Sequence, residues 1–87
     1  MKRITLEDSI GNWDYYYYNT IEELRAIIAR IGNGSLIGHN VTIGDEIQLG
    51  CNCSIRDNVT IGYRALINAN FNISVDVASN AFLEARD

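Results

Sequence analysis

Residues 31–78 read IGNGSL, IGHNVT, IGDEIQ, LGCNCS, IRDNVT, IGYRAL, INANFN, ISVDVA, and the six-residue period of this stretch decides the fold. Every block opens on an aliphatic residue: Ile31, Ile37, Ile43, Leu49, Ile55, Ile61, Ile67 and Ile73. Glycine follows at Gly32, Gly38, Gly44, Gly50 and Gly62. The fifth position is small or apolar throughout, running Ser35, Val41, Ile47, Cys53, Val59, Ala65, Phe71 and Val77. The fourth is Gly34, Asn40, Asn52, Asn58, Asn70 or Asp76, with Glu46 and Arg64 as exceptions.

Each column has a physical reason. First and fifth positions point inward on a narrow coil, where only small or apolar groups are buried without losing hydrogen bonds. Fourth positions suit corners with positive φ, which glycine adopts freely and Asn or Asp tolerates. Second-column glycine fits a close approach of neighbouring backbone. The segment Asn40-Val41-Thr42-Ile43-Gly44 recurs as Asn58-Val59-Thr60-Ile61-Gly62, which predicts an eighteen-residue circuit with like residues stacked on like. On this register the middle circuit buries Ile55, Val59, Ile61, Ala65, Ile67 and Phe71. Beyond Val77 the pattern decays, so fewer than three full coils are expected and residues 79–87 read as a C-terminal tail.

With these columns, residues 31 to about 78 resemble the hexapeptide-repeat superfamily of the bacterial transferase type. The resemblance implies a short left-handed parallel β-helix, in which three hexapeptides make one triangular coil. The left hand is implied by the resemblance alone, since general crossover rules favour right-handed parallel connections.

The first thirty residues do not repeat and read as a cap. Lys2 to Leu6 and Trp13 to Tyr18 have the composition of two short strands around the turn-rich Ser9-Ile10-Gly11-Asn12. Thr20-Ile21-Glu22-Glu23 is a capping box that starts a helix over about 20–31. Ile21, Leu24, Ile28 and Ile31 form its apolar stripe, and Gly32 permits the stop. The helix, backed by the aromatic strand, is expected to lie across the first coil as a lid, because an uncovered coil end recruits other strands.

The length of 87 residues suits one domain, with eleven acidic against seven basic side chains and a net charge of −4. That balance argues against direct binding of nucleic acid or an anionic membrane, both of which select clustered cations. The opening residues lack the apolar run of a signal peptide, and no stretch approaches the ~20 apolar residues of a membrane span. A cytoplasmic location is expected. A disulfide between Cys51 and Cys53 would close too short a loop.

The hexapeptide resemblance implies acyl-CoA-dependent acyltransferase chemistry with a histidine base. Here the one histidine is His39, and Asp57 occupies the same column one circuit later, where a carboxylate could orient an imidazole. Against that alternative, no loop insertion interrupts residues 31–77 to build a substrate pocket. His39 is therefore read as an exposed corner residue, with no cofactor expected. A hexapeptide-type zinc site needs three histidines, and Cys51 and Cys53 point opposite ways. Threonine ladders of the ice-binding kind reduce here to Thr42 and Thr60.

The preferred reading is a non-enzymatic protein-interaction module, similar in style to small acidic phage-encoded inhibitors that block a host defence or nucleic-acid-binding protein. Its partner would be a protein with a basic surface. Tyr16 and Tyr18, on the face opposite Trp13, Tyr15 and Tyr17, are the aromatic contact candidates. Asp45, Glu46, Asp57 and Asp76 are the acidic ones, and Glu46 is in register to pair with Arg64. A homo-oligomer is also expected, a dimer in preference to a trimer, with Phe82 and Leu83 at the contact.

Overall fold

The computed structural model describes residues 1–84 and is a mainly-β domain with one helix. It begins with strands β1 (Lys2–Glu7) and β2 (Trp13–Tyr18), followed by helix α1 (Ile21–Ile31). Eight short strands follow: β3 (Leu36–Ile37), β4 (Thr42–Ile43), β5 (Ile47–Leu49), β6 (Ser54–Ile55), β7 (Thr60–Ile61), β8 (Leu66–Ile67), β9 (Asn72–Ile73) and β10 (Phe82–Leu83). They fall into three sheets, ordered β10-β8-β5-β1-β2, β3-β6-β9 and β4-β7.

The pairing within these sheets follows the sequence period. Leu36 lies beside Ser54 and Ser54 beside Asn72; Thr42 lies beside Thr60 and Gln48 beside Leu66. All these pairs are parallel and eighteen residues apart. Positive φ recurs every six residues at Gly34, Asn40, Glu46, Asn52, Asn58, Arg64 and Asn70, so Glu46 and Arg64 adopt the corner conformation despite their side chains. The second-column glycines are explained by crowding. A Cβ added at Gly44 would stand 2.6 Å from the Tyr63 nitrogen one circuit on, although Gly44 itself has no positive φ.

First- and fifth-column residues form one core, with Ile43, Ile47, Leu49, Ile55, Val59, Ile61, Ala65 and Ile67 all buried. Burying each large side chain contributes about 1.5–3 kcal/mol before chain entropy is counted, so these layers dominate stability. Cys53 is inward and buried while Cys51 is partly exposed, and both thiols are free. Phe71 departs from the expected burial: it is half-covered, because it faces the end of the stack.

The last circuit corrects the expected register. Val77 bridges Ile61, and Phe82 and Leu83 pair with Leu66 and Ile67, all sixteen residues apart instead of eighteen. Two residues are missing at the corner after Ile73. Val77 therefore takes a first-column place and Asn80 becomes the positive-φ corner. Asp76 fills the gap, its Oδ1 accepting a 2.8 Å hydrogen bond from the Thr60 N–H. Beyond Ala78 the chain thus adds a further strand at Phe82–Leu83 instead of running on as a tail, and Phe82 precedes an inward position instead of occupying a corner. Residues 85–87 lie outside the described part of the chain.

The lid also differs from expectation, being a composite. The capping box forms as read: Thr20 Oγ1 accepts from the Glu23 N–H, and Glu23 Oε1 accepts from the Thr20 N–H. Gly32 ends the helix at φ 74°. Leu24, Ile27 and Ile28 are buried beneath it, with Ile21 and Ile31 at the margins. The aromatic strand packs with the helix as expected, and β1 is added to the lid, pairing in parallel with β5 so that Ile4 lies beside Ile47 and Leu6 beside Leu49. Ile4 and Leu6 are both fully buried, and β2 follows antiparallel on the outside of β1. Asn33, also fully buried, ties the junction together. Its Nδ2 donates to the Glu7 carbonyl at 2.6 Å and to the Gly50 carbonyl at 3.4 Å, and its Oδ1 accepts from the Ser35 N–H.

Candidate functional site

Strand β2 alternates, and the side that faces outward is the opposite of the one expected. Tyr18 is 3% exposed and Tyr16 packs against the core. Trp13, Tyr15 and Tyr17 are exposed by 44%, 57% and 54%. The reason is the helix that follows at once: Tyr18 must turn inward with Leu24 and Ile28, and period-2 alternation then fixes the rest of the strand. The Tyr18 hydroxyl has no hydrogen-bond partner among the described residues. Burial, with the nearby Asp45 carboxylate, pushes its pKa up to about 12.

The outward rings form an ordered surface. Tyr15 and Tyr17 meet edge to face with centroids 5.9 Å apart, and the Arg3 guanidinium lies 5.8 Å from the Tyr15 centroid. Both geometries are favourable ones for aromatic quadrupoles. Arg3 is in turn held 3.0 Å from Glu46, whose second oxygen pairs with Arg64 at 3.0 Å. The Glu46–Arg64 pair read from the columns is thus present, enlarged by Arg3. Three charges in contact on an exposed face stabilise modestly and mainly fix side-chain directions.

The carboxylates expected to meet a partner serve the backbone. Asp45 Oδ1 accepts from the N–H groups of Arg3 and Glu46 at 2.8 and 2.9 Å. Those bonds, the one from Arg3 foremost, hold its carboxyl below the usual carboxylate range. Asp57 Oδ1 accepts from the His39 N–H at 2.7 Å, and Asp76 binds Thr60 as described. Each accepts a main-chain N–H from a neighbouring strand or circuit. The spacing that suggested an imidazole–carboxylate dyad is therefore real, but the Asp57 carboxylate binds the main chain of His39.

No protein-family model, curated protein or solved structure matches the chain. Among the described residues no group of three or more His, Cys, Asp or Glu is placed to hold a metal ion. No helix among them is long and apolar enough to cross a membrane. Concavities lie at the two ends of the stack. One, of about 460 Å³, runs between α1 and β3, with Arg25, Ile28, Leu36 and Ile37 in its walls. The other, of about 310 Å³, is lined by Phe71, Ile73, Val77, Ala81 and Leu83. His39 lines neither.

The exposed aromatic row was within reach of sequence reading, since alternation names both faces. What the sequence did not supply was the direction. Three more functionally placed groups went unread: Arg3, Arg25 and Asn33. Arg25 donates to the carbonyls of Ile37 at 2.9 Å and Gly38 at 2.8 Å, and nothing in its helical context marks it for that task.

Proposed function

We propose that the chain is a non-enzymatic protein-interaction module built on a short left-handed hexapeptide β-helix, and that it meets its partner through Trp13, Tyr15 and Tyr17. The observation that carries this reading is three large aromatic side chains on one strand, each about half exposed, with the Tyr15 ring steadied by Arg3. Rigid amphipathic rings of this kind are the side chains most enriched at binding hot spots. The net charge of −4 favours a partner with basic character, in the manner of a small acidic inhibitor. The left hand of the coil and the cytoplasmic setting belong to the same proposal.

The experiment is affinity capture with the intact chain and with a Trp13→Ser, Tyr17→Ser variant, paired with calorimetric titration of acetyl-CoA. A partner retained by the intact chain and lost by the variant is expected, with no heat from the thioester. Saturable acetyl-CoA binding that vanishes in His39→Ala would replace this reading with an acyltransferase.

A further inference from the structure

The exposed row lies on β2, the outermost strand of the five-stranded sheet. Antiparallel pairs alternate between hydrogen-bonded and non-hydrogen-bonded positions, so one bond fixes the phase of the ladder. The Asp8 N–H donates to the Asn12 carbonyl at 2.9 Å. Hydrogen-bonded pairs therefore fall at Leu6–Asp14, Ile4–Tyr16 and Lys2–Tyr18. The other side of β1 agrees: the Glu46 N–H donates to the Arg3 carbonyl, and the Arg3 N–H donates to Asp45. It follows that the N–H and C=O groups of Trp13, Tyr15 and Tyr17 point away from β1, toward a margin where no strand pairs among the described residues. The Tyr15 N–H meets only the carboxylate of its neighbour Asp14, at 2.9 Å on the exposed surface.

We infer that β2 pairs antiparallel with the β2 of a second copy of this chain, with the two-fold axis passing beside Tyr15. Two parities select this register. Residues across the new ladder must lie on the same face, and the bonded ones must be those whose backbone points outward. Tyr15 opposite Tyr15 of the other copy, with Trp13 opposite Tyr17, satisfies both and forms six main-chain hydrogen bonds. Shifting by one residue puts exposed rings opposite buried ones, and shifting by two leaves fewer bonded pairs. Charge agrees with the register as well. The one ionised side chain of the strand, Asp14, falls opposite Tyr16 and not opposite its own copy, so no like charges meet directly. The sheet then runs continuously through both protomers, and the three exposed rings become a row of six.

The area sets the strength. A fully covered aromatic side chain accounts for roughly 150–250 Å². About half of that remains exposed on each ring, so the six rings set an upper bound of roughly 600 Å², and edge pairing covers only the ring edges and leaves their faces open. This is below the ~1,200 Å² where stable specific interfaces begin, so the dimer is weak and concentration-dependent, assembling at roughly 10 µM to 1 mM. The inference concerns the strand margin whereas the proposed partner contact concerns the ring faces, so either can fail alone.

Sedimentation of the intact chain across that range tests it, together with Tyr15→Lys, Tyr15→Glu and an equimolar mixture of the two. The intact chain should show a monomer–dimer equilibrium. Each variant alone should sediment as a monomer at least tenfold higher in concentration, and the mixture should dimerise again. Unchanged far-ultraviolet dichroism confirms the fold; if a position-15 variant fails to fold, Tyr17→Pro removes an outward N–H instead and should also give a monomer. A monomeric intact chain, a mixture that stays monomeric, or a dimer lost only on Phe82→Asp with Leu83→Lys would overturn the inference.

Discussion

The two ends of the stack meet the same physical problem in different ways. At the N-terminal end each sheet margin has its own guard. The carbonyls of Ile37 in β3 and of Gly38 just after it are met by Arg25, the Ile43 carbonyl of β4 receives the Lys2 ammonium at 2.6 Å, and β5 is paired outright by β1. At the C-terminal end β9, Val77 and β10 have no such guards among the described residues, and an apolar hollow opens between them. A repeat cannot finish itself, because each circuit presents the same unpaired groups as the last. One end has its strand margins guarded here by sequence that does not repeat, although a hollow remains between α1 and β3. The other is merely tightened by removing two residues from a corner.

The widest gap between the ends should be in core truncations. Leu6 is fully buried at the N-terminal junction, whereas Leu83 is only half-covered. Leu6→Ala should cost about 2–5 kcal/mol and Leu83→Ala about 1 kcal/mol, read as urea midpoints at constant slope. Equal losses would erase the contrast.

A second measurement reports the N-terminal end alone. Tyr18 has its pKa raised to about 12 from the ordinary 10.0, so the fold favours the neutral phenol. Its contribution to stability is fully present below pH 10.0 and is lost as pH rises through about 12. In an alkaline titration followed by phenolate absorbance, one of the five tyrosines should ionise late and together with unfolding. Tyr18→Phe should remove that late step. A late step that survives in Tyr18→Phe would place the buried phenol elsewhere.

The smallest effect expected is at the shortened corner. Asp76→Ala leaves the Thr60 N–H without its acceptor and should cost about 1 kcal/mol, with hydrogen exchange accelerated at Thr60 and Gly62 before any residue of β1. Uniform acceleration along the chain would mean that the two ends open as one unit.

How much of this could be read from residues alone differs along the chain. The six-residue columns were legible because burial, positive φ and close approach each select a narrow set of residue types, and all three recur together. The shortened corner was not, since Asp76 and Val77 happen to supply letters that fit the unshortened frame. Only Asn80 and Leu83, read as a corner and an inward residue, hold the clue. The helix start was legible from its capping box. The outward face of β2 was not, because Tyr16 and Tyr17 are the same residue and only tertiary packing distinguishes them. Corner carboxylates suffered the converse error. An acidic residue on an exposed corner reads as free charge, yet Asp45, Asp57 and Asp76 each accept a main-chain N–H that the alternation of strand and turn leaves without a partner.

The pairing of β1 with β5 has a consequence for how the chain is made. Ile4 and Leu6 find their neighbours in Ile47 and Leu49, more than forty residues downstream. During synthesis the first strand leaves the ribosome long before its partner exists, so it must wait, with β2, as an isolated hairpin of marginal stability. A repeat array can ordinarily begin to fold wherever its first neighbours meet and then grow outward. This chain is denied that order at its own beginning. β1 can dock only once residues 47–49 have been made, and the time spent waiting lengthens with every pause between residues 7 and 49.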